Sequence, residues 1–184
     1  ITLETRTEDD VRWLNVTDDG SGIADPSVLL SLGRSDWNSD IMAREDPAGM
    51  GVFSLAGRRV EIRSRAASSR RGWHVAIAPD NWESSASIAV NAASHPVGTT
   101  IAFALSPPWD AALNHAAREA ARFAPIEVRF DGATLPSQDF LAGAEAIVER
   151  DGVRIGIFRQ PWASEREARL NFHGVTVRGR LPVI

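Results

Sequence analysis

The sequence predicts an α/β fold, a two-layer sandwich of a mixed, mostly antiparallel sheet with helices on one face. Segments in which apolar and polar residues alternate occur in pairs separated by polar turns, as in β-hairpins. Residues 109–123 instead repeat apolar residues at helical spacing and end before Pro125. We expect one domain over residues 1–132 and a β-rich C-terminal extension over residues 133–184.

Paired strands account for most of the predicted sheet. Charged residues 6–10 separate the first two strands, and polar residues 67–72 separate the next two. Such alternation is typical of strands that bury one face. The sequence predicts three hairpins in the first domain, formed by residues 1–5 with 11–16, 60–64 with 73–77, and 87–90 with 100–105.

Helix signals occur at three places. Asp25 followed by Pro26 is typical of an N-cap and a first helical position, and Gly33 would end that helix. A second short helix is predicted over residues 52–56. The third helix, over residues 109–123, has a predicted apolar face that consists of Ala112, Leu113, Ala116, Ala120 and Phe123.

The C-terminal part of the chain is rich in strand patterns. Asp151-Gly152 is a strong signal for a two-residue hairpin turn. The strands predicted there are residues 126–130, 146–150, 153–158, 169–173 and 175–177.

Composition excludes several classes of function. The 184 residues carry a net charge of −4 without a block of like charge, so nothing indicates a nucleic-acid or membrane surface. The absence of cysteine excludes disulfides and thiolate catalysis, and the four histidines lack the spacing of zinc ligands, so no protein metal site is predicted. No serine lies in the Gly-x-Ser-x-Gly turn of a hydrolase. No apolar run approaches the ~20 residues of a membrane span and no signal peptide is visible, so a cytoplasmic location is expected.

An acidic turn with two glycines follows the second predicted strand. Asp18 at the end of that strand could accept a hydrogen bond from an exocyclic amine, a contact that a ring without this donor would forfeit. Gly20 and Gly22 would let the backbone approach a planar ligand, and Ile23 completes the turn. The pattern predicts the base-binding part of a nucleotide pocket.

A second glycine-spaced segment opens the short helix predicted at residues 52–56. Gly49, Met50 and Gly51 would point successive backbone N–H groups inward, and Val52 and Phe53 begin a helix whose N-terminus is positive. This arrangement suits phosphate groups. Residues 34–48 between the two segments are polar and aperiodic, and we expect them to form a lid.

Gly98-Thr99 begins a late strand and could add a hydroxyl beside Asp18. Taken singly, each of these segments is better explained as an ordinary turn, helix start or strand start. Their order along the chain favours a nucleotide pocket.

In this order the segments resemble the Bergerat-fold ATP-binding domain of the GHKL superfamily, which includes DNA gyrase B, the large heat-shock chaperones, histidine kinases and MutL. Residues 18–23 match the Asp-x-Gly-x-Gly box of that superfamily. Residues 49–54 are similar to its second glycine box, closest to the chaperone version, and Thr99 matches its adenine-site threonine. The resemblance covers about residues 1–131.

This resemblance implies binding of ATP with Mg²⁺, closure of the lid, and a chaperone-like conformational cycle. It further implies an unidentified protein partner or client and suggests a homodimer. The positions that it assigns to the nucleotide are Asp18, Gly20, Gly22, Ile23, Gly49, Met50, Gly51, Val52, Phe53 and Thr99.

The sequence departs from the superfamily at its catalytic positions. The superfamily carries a glutamate that activates water and an asparagine that holds magnesium on a helix before the first hairpin. This sequence starts at Ile1 within a strand pattern, so we expect a fragment without that helix, and Glu4 does not take the catalytic role. The phosphate-sensing lysine has no counterpart in a chain without lysine, where Arg34 or Arg44 either replaces it or is a surface charge. Catalytic residues are therefore unassigned, and ATPase activity is expected only of a longer protein.

An alternative is a non-catalytic interaction or adaptor module with the same fold. A histidine kinase is disfavoured because those domains lack the long strand-rich C-terminal segment. Trp37, in the predicted lid, either covers the nucleotide or contacts a partner, and the cluster of residues 171–174 has no derivable role.

Overall fold

The computed structural model describes residues 1–30, 51–83, 87–150, 153–158, 167–172 and 175–180. Contacts divide the chain into two compact units, Ile1–Ala111 and Ala112–Ile184. The predicted domain boundary after residue 132 stays a prediction. In the described ranges no helix has the length and apolar character needed to cross a membrane.

The first unit is built on an antiparallel arrangement of six strands in the order β5-β4-β3-β6-β2-β1. Three short 3-10 helices and the start of the α-helix α1 (Pro107–Ala121) accompany them, so the predicted α/β class is confirmed. The strands are β1 (Thr2–Glu8), β2 (Val11–Asp18), β3 (Val60–Arg65), β4 (Gly72–Ile77), β5 (Val90–Ala93) and β6 (Gly98–Ala104), and the 3-10 helices are Pro26–Leu30, Val52–Leu55 and Pro79–Trp82.

The first two predicted hairpins are confirmed, and the turn of the first is shorter than expected. β1 and β2 pair from Thr2 with Thr17 to Glu8 with Val11, which leaves only Asp9 and Asp10 in the turn. Both aspartates have positive φ, at 50° and 60°, as the central residues of a tight type I′ hairpin turn do. Arg6 and Glu8, which the sequence places in the turn, thus belong to strand β1.

The third predicted hairpin is wrong. β5 pairs with β4, whereas β6 lies between β3 and β2 and pairs with both. β6 has a neighbouring strand on each side, Phe103 on it is buried, and Ile101 lies opposite the fully buried Ile62. Central placement therefore buries more apolar surface than a hairpin with β5 would. This insertion brings the start of β6 between the ends of β2 and β3.

Alternate residues of the central strands form the core of the first unit. Val60 and Ile62 on β3 are fully buried. Ile62 lies opposite Val75 on β4 and Ile101 on β6, as expected for residues that share one face of a sheet. Burial of each such side chain stabilises the fold by about 1.5–3 kcal/mol.

The helix α1 starts two residues earlier than predicted and buries a different stripe. Pro107 and Pro108 occupy its first turn, where the missing N–H has no intrahelical partner to lose. The buried residues are Leu113, Ala117 and Ala121, so only Leu113 of the predicted face is confirmed. Because alanine occurs at so many positions of this helix, two adjacent stripes look alike in the sequence.

The second unit contains hairpins. The hairpin predicted over residues 146–150 and 153–158 is confirmed as the antiparallel pair of β9 with β10. The strands predicted over residues 169–173 and 175–177 form a second antiparallel pair, β11 with β12. The predicted strand over residues 126–130 is too long, because the chain bends at Pro125 and Ile126 and extends as a strand only at its last two residues. The strands of this unit are β7 (Arg129–Phe130), β8 (Ala133–Thr134), β9 (Ala146–Arg150), β10 (Val153–Ile157), β11 (Glu167–Phe172) and β12 (Val175–Arg180).

Candidate functional site

Four side chains form a row across the ends of four neighbouring strands. Trp73 on β4 lies opposite Ser64 on β3, Ser64 lies opposite Thr99 on β6, and Thr99 lies opposite Asp18 on β2. Directly opposite residues share a face of the sheet, here the face that forms the core. The row runs from the buried Trp73 and Ser64 to the half-buried carboxylate of Asp18.

Ser64 is the centre of the hydrogen bonds in this row. Its side chain is 0% exposed. Ser64 Oγ accepts a hydrogen bond from the backbone N–H of Ile23 at 2.8 Å and donates to the Gly98 carbonyl at 2.9 Å. The hydroxyl oxygen of Thr99 lies 3.0 Å from Ser64 Oγ. One hydroxyl therefore ties the turn after β2 to the start of β6.

The segment 18–23 crosses the ends of β6 and β3 at close range. Gly98 has a φ of +124°, and a Cβ placed on it would lie 2.2 Å from the carbonyl oxygen of Asp18. Gly22 has a φ of +68°, and its Cβ would lie 2.1 Å from the carbonyl oxygen of Arg65. Both positions require glycine for the conformation and for the space. Backbone packing thus requires glycine at position 22, whether or not a ligand approaches it.

The Asp18 carboxylate is held at the open end of the row. Its Oδ1 atom accepts a hydrogen bond from the backbone N–H of Gly20 at 2.9 Å. Within the described ranges that N–H is the one donor to this carboxylate. Lone pairs on the carboxylate thus stay available to a further hydrogen-bond donor.

A second polar row lies on the opposite face of the same strand ends. Thr17 and Thr100 lie opposite each other, and their hydroxyl oxygens are 3.0 Å apart. The Nε2 atom of His95 lies 3.0 Å from Thr100 Oγ1, and its Nδ1 atom lies 2.7 Å from the Pro96 carbonyl. These contacts fix the start of β6 from the side away from Asp18.

The second glycine segment is only partly described. Gly49 and Met50 lie outside the described residues, as does the predicted lid over residues 34–48 with Trp37. Val52 and Phe53 are half-buried at the start of the 3-10 helix Val52–Leu55. The helix predicted there is wrong in type, because four residues of 3-10 geometry make little more than one turn. Its dipole is correspondingly small, so phosphate binding would depend on backbone N–H groups rather than on a helix end.

The structure therefore brings Asp18, Gly20, Gly22, Ile23 and Thr99 together. Gly51, Val52 and Phe53 lie in the segment at the 3-10 helix Val52–Leu55, and Gly49 and Met50 lie outside the described residues. The 3-10 helix Pro26–Leu30, which follows the acidic turn, contacts the 3-10 helix Val52–Leu55 and so links the two segments.

The sequence interpretation missed Ser64 and Trp73 as parts of the site. A signal was present for Ser64, because it continues the alternation of Val60 and Ile62 and so occupies a buried-face position with a polar side chain. The Nε1 atom of Trp73 donates a hydrogen bond to the Ile23 carbonyl at 2.9 Å. No pattern in the sequence indicates that contact, because it joins residues 50 positions apart.

Acidic and histidine residues of the described ranges do not form a group of three that could hold a metal ion.

No family model matches the sequence, and no curated protein matches it. Some solved structures are similar to this chain. The likeness is to MutL ATPase domains, which belong to the GHKL superfamily. The "Aquifex aeolicus MutL ATPase domain complexed with ADP" has a TM-score of 0.43 and 15% identity over 75% of this chain and 55% of that one. The ATPase domain of the bacterial mismatch repair endonuclease MutL from Aquifex aeolicus has a TM-score of 0.45 and 16% identity over 90% of this chain and 68% of that one.

The N-terminal domain of a DNA repair protein has a TM-score of 0.42 and 16% identity over 73% of this chain and 46% of that one. The chain spans about half the length of this structure and of the ADP complex. None of the three is described as a heat-shock chaperone, so the predicted closeness to chaperones stays a prediction. At these identities and TM-scores the assignment of function depends on the geometry of the site.

Proposed function

We propose that this chain is an ATP-binding domain of the GHKL type, in which Asp18 binds the adenine base. The observation that carries the proposal is the row formed by Ser64, Thr99 and Asp18. It places a half-buried carboxylate beside a buried hydrogen-bond network, at the end of the neighbouring strand. A ligand donor that meets Asp18 there meets a fixed acceptor and needs no rearrangement of the protein.

Charge and geometry favour adenine over a 6-oxo purine. The exocyclic amine of adenine donates hydrogen bonds, and a hydrogen bond to an ionised carboxylate is about twice as strong as a neutral one. Guanine and hypoxanthine present an acceptor at the same ring position. That oxygen would face the carboxylate without a proton between them, which leaves both groups unpaired.

For the phosphates we propose the backbone N–H groups of Gly49, Met50 and Gly51, with Val52 and Phe53 beside them. The contact between the 3-10 helices Pro26–Leu30 and Val52–Leu55 supports this part, because it links this segment to the turn that carries Asp18. Two glycines in three residues permit backbone N–H groups to point at an anion. Gly20, Gly22 and Ile23 complete the pocket wall on the base side.

We also propose that residues 34–48 close over the nucleotide and that this closure drives a conformational cycle. The cycle would take place in a longer, cytoplasmic protein. That protein would act on an unidentified partner or client, or as a homodimer. Magnesium bound with the nucleotide would supply positive charge that offsets the charge of the phosphates. The described residues offer no cluster of metal ligands, so the glutamate and asparagine of the GHKL type are proposed to come from a segment outside them.

The test is calorimetric titration of the protein with Mg-ATP and Mg-GTP. The proposal expects ATP to bind at least about tenfold more tightly than GTP, since the site pairs with an amine and rejects an oxo group. Absence of ATP binding, or equal affinity for the two nucleotides, would overturn it. Measurement of phosphate release in the same samples separates an ATPase from the non-catalytic adaptor, which would bind ATP without turnover.

A further inference from the structure

The hydroxyl proton of Ser64 has only one direction that satisfies all three contacts of its oxygen. The carbonyl of Gly98 can only accept, so the proton of Ser64 must point to it. The N–H of Ile23 can only donate, so it occupies one lone pair of Ser64 Oγ. The remaining partner is Thr99 Oγ1 at 3.0 Å, and it must donate its own proton to Ser64.

This arrangement determines whether the Thr99 hydroxyl donates or accepts a hydrogen bond on the side of Asp18. Thr99 is 6% exposed and lies between the fully buried Ser64 and the half-buried Asp18. Because its proton is directed inward to Ser64, its oxygen has only lone pairs left to offer on the opposite side. A free threonine hydroxyl could rotate and serve as a donor or as an acceptor.

We infer that Ser64 is a positioning residue that makes Thr99 a permanent acceptor and thereby sharpens selection of a base with an amine at ring position 6. The inference rests on the proposed function. Asp18 and Thr99 then present two acceptors to the base, directly or through one water, and an amine with two hydrogens can satisfy both. A 6-oxo group can satisfy neither acceptor, so both contacts favour a 6-amino purine over a 6-oxo purine.

Replacement of Ser64 by alanine removes the acceptor for the Thr99 proton. The Thr99 hydroxyl can then rotate and donate to the oxygen of a 6-oxo purine, which relieves part of the mismatch. Selectivity should therefore fall, even though Asp18 is unchanged. A purely structural role for Ser64 would weaken binding of all nucleotides alike and leave the selectivity in place.

The experiment compares the dissociation constants of ATP and ITP, which differ at ring position 6, for the wild-type protein and for Ser64→Ala. The inference expects the ratio of the ITP constant to the ATP constant to fall by about tenfold in Ser64→Ala. Ser64→Thr keeps a hydroxyl and should retain most of the selectivity. Thr17→Val is the matched control, because it removes a hydroxyl from the opposite face of β2 and should leave the ratio unchanged.

Ser64→Cys covers the case in which the alanine variant does not fold, because a thiol is close to a hydroxyl in size and is a weak acceptor. A fall in the ATP preference of that variant supports the inference. An unchanged ratio in a folded Ser64→Ala or Ser64→Cys variant would overturn this inference and leave the proposed function intact. Failure of the wild-type protein to bind ATP would overturn both.

Discussion

The indole N–H of Trp73 donates a hydrogen bond to the backbone carbonyl of Ile23 at 2.9 Å. The N–H of the same Ile23 donates to Ser64 at 2.8 Å. Both backbone polar groups of one turn residue are thus held by side chains of β4 and β3. Because Ile23 ends the turn that begins at Asp18, the two strands define the position of the whole turn.

Trp73→Phe should weaken nucleotide binding by about three- to tenfold, since the loss of one hydrogen bond of about 1 kcal/mol loosens the turn. The control is Trp82→Phe, which removes an equivalent indole hydrogen bond to the Arg58 carbonyl at 2.7 Å. Trp82 lies outside the strand-end row and should affect stability only. Calorimetric titration with ATP checks both variants, and an equal loss of affinity in the two would contradict the role given to Trp73.

Gly98→Ala should destabilise the fold by more than about 3 kcal/mol, because the new Cβ meets the Asp18 carbonyl oxygen and the residue adopts a positive φ. Gly57 is a matched control, since it has a φ of +77° but a Cβ added to it would meet no atom within 4 Å. Gly57→Ala should lower the free energy of unfolding by only about 1–2 kcal/mol, because alanine is strained at positive φ but its Cβ meets no other atom. Urea unfolding of the two variants measures the difference, and similar midpoints would show that the close approach of β2 to Gly98 is absent.

The sequence predicts a hairpin correctly where two consecutive strands pair with each other in the fold. Their alternating pattern and their turn residues are both local, so the pairing of β1 with β2 and of β3 with β4 follows from them. The position of β6 cannot be predicted from such local signals, because its partners β2 and β3 are distant in sequence. The pairing depends on the burial that β6 gains between these two strands. Alternation alone therefore paired the segment with its nearest upstream strand.

The candidate site is predictable to a similar extent. Asp18 and Thr99 stand beside glycines that the backbone geometry requires, and such glycines mark turns in the sequence. The contribution of Ser64 depends on three partners that are 34 to 41 positions away, and no local pattern contains that information. The positions of the phosphate-binding residues Gly49 and Met50 stay a prediction from the sequence.

Acid should remove a stabilising contact in the second unit. The backbone N–H of Leu141 donates to Asp139, and this bond, together with the charge of Arg154, holds the pKa of Asp139 below its ordinary value against the effect of burial. Since the ionised form is favoured in the folded state, the contribution is present above the unfolded pKa and is lost as pH falls through the folded pKa.

Arg154→Gln should therefore raise the pKa of Asp139 only part of the way, because the larger cause, the Leu141 N–H, remains. NMR titration of the side-chain carboxyl signal measures this pKa in both proteins. A complete return to the ordinary value in Arg154→Gln would show that the ion pair, rather than the backbone hydrogen bond, is dominant.

The central claim is that the Asp18 carboxylate binds an exocyclic amine, and Asp18→Asn tests it most directly. Asparagine can still accept the hydrogen bond from Gly20 through its side-chain oxygen, but it turns an N–H₂ donor toward the ligand amine. Calorimetric titration with ATP should show affinity reduced by about 10- to 100-fold in Asp18→Asn and unchanged in the control Asp19→Asn, whose carboxylate is exposed. Wild-type affinity in a folded Asp18→Asn protein would contradict the assignment of this site.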